Sequence, residues 1–173
     1  MKRPLTRILL LLLFACGPTS HAAEQQPISI VASTEGRFAQ GQSWQLVVDA
    51  KGDARLRIDT FPDPINREFR VSPKELERLA RAVDDQGFFD LKATYGEQVP
   101  SGSTDTLTIT RGEQTKTVKI HFLMNWVQTA PEKLKEPAKA VRVFQVIRSW
   151  FSDPEAVDLR KYDDMIIQAA SSG

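Results

Sequence analysis

The sequence predicts an α+β fold: one antiparallel sheet built from two hairpins, with two helices packed on one face. Three observations carry this. Two stretches alternate apolar and polar residues with a period of two, each across a glycine turn. Two others place apolar residues at helical spacing. The elements run strands, helix, strands, helix, the order of a sheet with helices segregated to one side.

The first hairpin is SWQLVVDAKGDARLRID. Trp44, Leu46 and Val48 alternate with Gln45, Val47 and Asp49, and after Lys51-Gly52-Asp53 the pattern resumes at Leu56 and Ile58. An alternating strand has one buried and one wet face. Ahead of it, Ile28 to Thr34 is a β-branched run, read as a first strand in a segment 24–36 that also serves as a tether. Arg67 to Val71 allows a further short strand. The helix that follows starts at Ser72-Pro73-Lys74-Glu75, where serine can cap, proline suits the first turn and Glu75 can close a capping box. Leu76, Leu79, Ala80 and Val83 form its stripe, and Gly87 ends it in a left-handed conformation. Phe88, Phe89 and Leu91 return the chain to the core.

In the second hairpin Leu107 and Ile109 alternate with Thr106, Thr108 and Thr110. Val118, Ile120 and Phe122 then alternate with Thr117, Lys119 and His121 across a turn at Gly112. A loop containing Met124, Trp126 and Pro131 leads to a helix over 137–151, whose stripe is Ala140, Val141, Phe144, Ile147 and Phe151. The single domain is bounded at 37–151, and 152–173 is read as a tail with one weak helical turn.

Of 173 residues, 41% are hydrophobic and 26% charged, enough for one domain with its own core. Lys2, Arg3 and Arg7 precede the apolar run Ile8 to Ala15, the pattern of a secretory signal over 1–23. Removing it takes 23 basic residues to 20 against 22 acidic ones, so no basic block remains to neutralise nucleic-acid phosphates. Two cleavage readings stay open. Ser20-His21-Ala22 fits release of a periplasmic protein, whereas Leu13-Phe14-Ala15-Cys16 is similar to a bacterial lipobox. The only cysteine stands directly after the apolar run. Lipidation at Cys16 is therefore the favoured reading, with an outer-membrane lipoprotein as the expected product.

The runs SPKELERLARA and QGFFDL, followed by Tyr95, together with Gly41-Gln42-Ser43 beside Trp44 and Gln45, Lys51-Gly52-Asp53, and the threonines 106, 108 and 110, resemble a bacterial envelope domain family of unknown function. The resemblance covers roughly residues 37–150. It implies an α+β fold and secretion, and it brings no catalytic residue and no activity. Relatives carry a cysteine pair before the first hairpin, where this chain has Phe38 to Gly41, so no disulfide or redox role transfers.

Chemistry is sparse in the sequence. His121 is the only histidine after the leader and is expected on the wet face of its strand. The stretch Ser101 to Asp105 lacks a G-x-S-x-G elbow, and Ser72 lacks the lysine of an S-x-x-K nucleophile. Asp59, Asp63 and Asn66 do not follow calcium-loop spacing. Asp163-Asp164 reads as a solvated helix end. No metal or cofactor is expected. The wet face brings together Arg55, Arg57, Lys119, His121 and the threonine rows, a surface able to meet an envelope protein, an anionic glycan or a lipid headgroup. Trp126 has two readings: a cap on the core, which is favoured, or a second contact candidate, since tryptophan is enriched at binding hot spots. The expected function is non-catalytic binding by a monomer. The alternative is a periplasmic hydrolase using His121 with Asp105 or a loop serine.

Overall fold

The computed structural model describes residues 26–36, 43–60, 62–99, 102–151 and 159–172. Cys16, the leader, and Phe38 to Gln42 lie outside the described residues.

Seven strands make one sheet: β1 (Ile28–Glu35), β2 (Ser43–Val48), β3 (Asp53–Asp59), β4 (Ile65–Arg70), β5 (Thr94–Tyr95), β6 (Thr104–Arg111) and β7 (Gln114–His121). Their spatial order is β4-β3-β2-β1-β6-β7-β5. Every pairing is antiparallel except β5 with β7. Both expected hairpins are present, β2–β3 and β6–β7, and β1 joins them. It pairs Ile30 with Val48 on one side and with Ile109 on the other. The first strand is thus the centre of the sheet and not a tether ahead of a domain that starts at residue 37. An eight-residue β-branched strand flanked by two hairpins satisfies both of its backbone edges, which no terminal position would do.

The helices are α1 (Pro73–Asp85), α2 (Met124–Thr129), α3 (Pro137–Arg148) and α4 (Leu159–Ser172). The Ser72 hydroxyl accepts the Glu75 N–H at 3.2 Å, as the capping pattern predicts. The reciprocal half of the box is not made. Glu75 instead accepts the Trp150 indole N–H at 3.1 Å, tying the start of α1 to the end of α3. Gly87 takes φ 57° and releases the chain into a 3-10 turn over Phe88–Asp90, with Phe88 fully buried. Gly52 needs its glycine for a different reason: at φ 87°, an added Cβ would stand 2.6 Å from the Val71 carbonyl oxygen.

All helices lie on one side of the sheet. The core between the layers is filled by Ile30, Leu46, Leu56, Leu107, Ile109 and Ile120 from the strands, and by Leu79, Val83, Phe144 and Ile147 from α1 and α3. Three expectations need correction. The segment around Trp126 is helical (α2), not a loop. The α3 helix stops at Arg148, and Phe151 packs beyond it with its ring 5.0 Å from Trp44. The segment read as a weak tail contains α4, a 14-residue helix packed on α3. Ile166 is fully buried, and the Tyr162 oxygen accepts the Leu123 N–H at 3.2 Å.

Candidate functional site

Two constellations stand out, one buried and one exposed. The buried one is centred on Arg148, the last residue of α3. Its guanidinium is in line with Val141 and Phe144 along the inner stripe, so it points into the core, where only 3% of the residue is exposed. One Nη contacts Asp105 of β6 at 2.8 Å, and the other donates to Asp163 of α4. The Thr34 hydroxyl of β1 donates to Asp105 at 2.5 Å. The guanidinium also lies over the Phe144 ring, 4.8 Å from its centre, and 5.8 Å from that of Trp44.

One cation thus faces two buried carboxylates. Burial opposes the Arg148 charge, but Asp105 and Asp163 outweigh it and raise the guanidinium pKa above its ordinary value. Burial pushes the Asp163 carboxyl up to about 7 against the downward pull of Arg148, with the negative charges of Asp105 and Asp164 adding to the rise. Asp163 Oδ2 and Arg148 Nε are buried with no hydrogen-bond partner among the described residues. Replacing a buried ion pair by apolar residues is often neutral or stabilising, whereas removing one partner is costly because the other charge is then uncompensated.

The exposed constellation is the uncovered face of the sheet. Register aligns its side chains in ranks across six strands. One rank runs Glu68, Arg55, Val47, Val31, Thr108, Thr117; the next runs Asn66, Arg57, Gln45, Ser33, Thr106, Lys119. Val31 and Val47 are directly opposed and 41% and 40% exposed, an apolar centre in a polar field. Thr108 and Thr117 share a hydrogen bond of 2.8 Å.

Arg55, Arg57, Lys119 and His121 all sit on this face, as their alternation predicts. Its charge is more balanced than a list of cations suggests. Arg55 is 3.6 Å from Glu68 and Arg57 is 2.8 Å from Asp59. Both pairs are solvent-exposed, where such contacts contribute about 0–1 kcal/mol and leave the arginines free to exchange partners.

Trp126 does not join them. It lies in the helix layer, half-buried against the core, with Lys133 Nζ 5.6 Å over its ring. The hydrolase dyad is not assembled either. Thr104 pairs with His121 and Asp105 with Ile120, so Asp105 of β6 points inward while His121 of β7, beside Thr104, points outward. His121 Nδ1 is hydrogen-bonded to Thr104 Oγ1 at 2.9 Å, and Asp105 is engaged by Arg148 and Thr34. Ser103, the loop serine among the described residues, is buried. No group of three or more metal-ligating side chains occurs among the described residues.

Sequence reasoning passed over the buried cluster, although a signal was present. Asp105 is in phase with Leu107 and Ile109, Arg148 with Val141 and Phe144, and Asp163 with Ile166. Each is a charge on an apolar stripe, and their signs complement one another.

No profile of a known protein family matches this chain, and no curated protein shows significant similarity to it.

The Asp163 carboxyl makes a pH prediction. Its folded-state pKa, about 7, lies above the ordinary 3.8, so the folded domain holds a proton that the unfolded chain has released. The stability this contributes is full below about pH 4 and is lost as pH rises through about 7. Urea midpoints should fall between about pH 5 and pH 8 in the wild type and fall much less in Asp163→Asn. Equal pH slopes in the two proteins would show that Asp163 does not titrate in this way.

Proposed function

We propose that this chain is a secreted bacterial cell-envelope protein, anchored through a lipidated Cys16, and that it acts as a non-catalytic binding module. The observation that supports binding is the one-sided sheet. Among the described residues the helices lie on a single face of the seven-stranded sheet, and the other presents Val31 and Val47 at its centre with the arginines, Lys119 and threonines around them. An apolar centre within a polar rim is the anatomy of a protein interface. This favours an envelope protein over an anionic glycan or lipid headgroup, because Glu68 and Asp59 offset the arginines that a purely anionic ligand would need. The quoted resemblance and the basic, then apolar, N-terminal pattern support the address. Among the described residues, no helix is long and apolar enough to cross a membrane.

Intact mass tests the anchor. The protein from the membrane fraction should begin at an acylated Cys16, and Cys16→Ala should leave that fraction. An unmodified chain starting at Ala23 or Glu24 would contradict the anchor and keep the protein in the periplasm.

Capture from envelope extracts tests the face. A protein retained by the wild type should be lost with Val47→Glu and weakened with Arg55→Glu or Lys119→Glu, while circular dichroism is unchanged. Retention that is equal across all four proteins would remove the open face from the account.

A further inference from the structure

Strand β4 is the longer of the two strands at the margins of the sheet, and among the described residues no strand pairs with its outer side. The Val71 N–H donates to the Gly52 carbonyl at 2.8 Å. In an antiparallel ladder hydrogen-bonded residues alternate, so Phe69 and Arg67 also turn their backbone groups toward β3. Glu68 and Arg70 therefore present N–H and C=O outward. Their side chains lie on the open face, largely exposed, opposite Arg55 and Asp53 of β3. Phe69 points the other way and is only partly buried. Beside it, on the helix side, is a cleft of about 410 Å³ whose lining includes Phe69, Ser72, Glu75, Arg78, Ser149 and Trp150.

We propose that β4 is a homodimerisation edge, on which a second copy of this chain adds its own β4 antiparallel about a two-fold axis passing beside Phe69. The order of charges along the strand favours a second copy over an unrelated strand. With Phe69 opposite Phe69 of the second copy, Glu68 falls opposite Arg70 of the second copy, and Arg70 opposite its Glu68. One axis thus creates two unlike-charge pairs. Both fall at positions whose backbone groups point outward across the edge. The two phenylalanines meet at a non-hydrogen-bonded position, where side chains approach most closely. There each ring can enter the cleft beside Trp150. An isolated charged edge resists pairing with arbitrary strands, whereas this register turns the same charges into recognition. The two monomer sheets would run on as one, leaving both open faces accessible. The inference is therefore independent of what those faces bind.

A charge swap tests the register by sedimentation over a wide concentration range, using the protein as it accumulates in cells. The wild type should show a reversible monomer–dimer equilibrium. Glu68→Arg and Arg70→Glu each set like charges opposite one another twice, and each should weaken the dimer by about tenfold or more. The double variant restores two unlike pairs and should recover it. Glu68→Pro removes an outward N–H without touching the β3 ladder, so it should give a folded monomer by circular dichroism. A wild type that stays monomeric throughout would overturn the proposal. So would a dimer indifferent to Glu68→Arg, Arg70→Glu and Glu68→Pro, or singles that dissociate with no recovery in the double variant.

Discussion

A single guanidinium inside the core constrains how the rest of this chain can be arranged. Moving a charge out of water costs several kcal/mol even after the protein relaxes, and only well-placed opposite charges offset it. Arg148 is held by Asp105 from the sheet and Asp163 from α4, while Thr34 of the central strand bonds to Asp105. Four elements (β1, β6, α3 and α4) meet at that point. Displacing α3 would leave both carboxylates without their cation, and displacing β6 or α4 would take one of the two carboxylates away from Arg148. Breaking such a pair from one side costs about 3–5 kcal/mol, a large share of the 5–15 kcal/mol that holds a typical domain together.

The cluster also fits a sheet whose described helices all lie on one side. The inward charges are in phase with Leu107, Ile109, Val141 and Phe144, so their partners must arrive on the helix face. Once α3 and α4 are seated there, threonine and arginine ranks fill the other face. That face can be wet because antiparallel ladders satisfy the backbone without cover. Apart from Val31 and Val47, its side chains lose little by staying hydrated. The same division separates His121 from Asp105, since adjacent strand residues belong to different solvents.

Local patterns made most of the fold legible. The alternation in 44–58 and 107–120, the cap at Ser72 and the stop at Gly87 each rest on neighbours a few residues away, and each is present in the structure. What was misread depends on distant partners. The stretch 159–172 has a modest apolar stripe, and its central Asp163 looks like a solvated residue until Arg148 and Asp105 are placed beside it. β1 reads as a strand, but it falls outside a domain bounded at 37 because its two hydrogen-bonding neighbours are hairpins that come later in the chain. Trp126 precedes a proline and so reads as loop, although four residues lie between it and Pro131 and the short helix α2 ends before the proline. The polar sheet face was legible as a set, with Asp59 in the same alternation as Arg57, but the acid that tempers Arg55 was not. Glu68 reaches Arg55 only through the β3–β4 register.

Native-state hydrogen exchange measures directly whether the Arg148 cluster makes α4 part of one cooperative unit with the sheet. The amides in the middle of α4, around Asp163 and Ile166, should exchange with the same opening free energy as those of β1 and β6 and share their response to added denaturant. Exchange of α4 by its own local opening, orders of magnitude faster while β1 and β6 stay protected, would show that the helix is an appendage and that the buried charges do not hold the fold together.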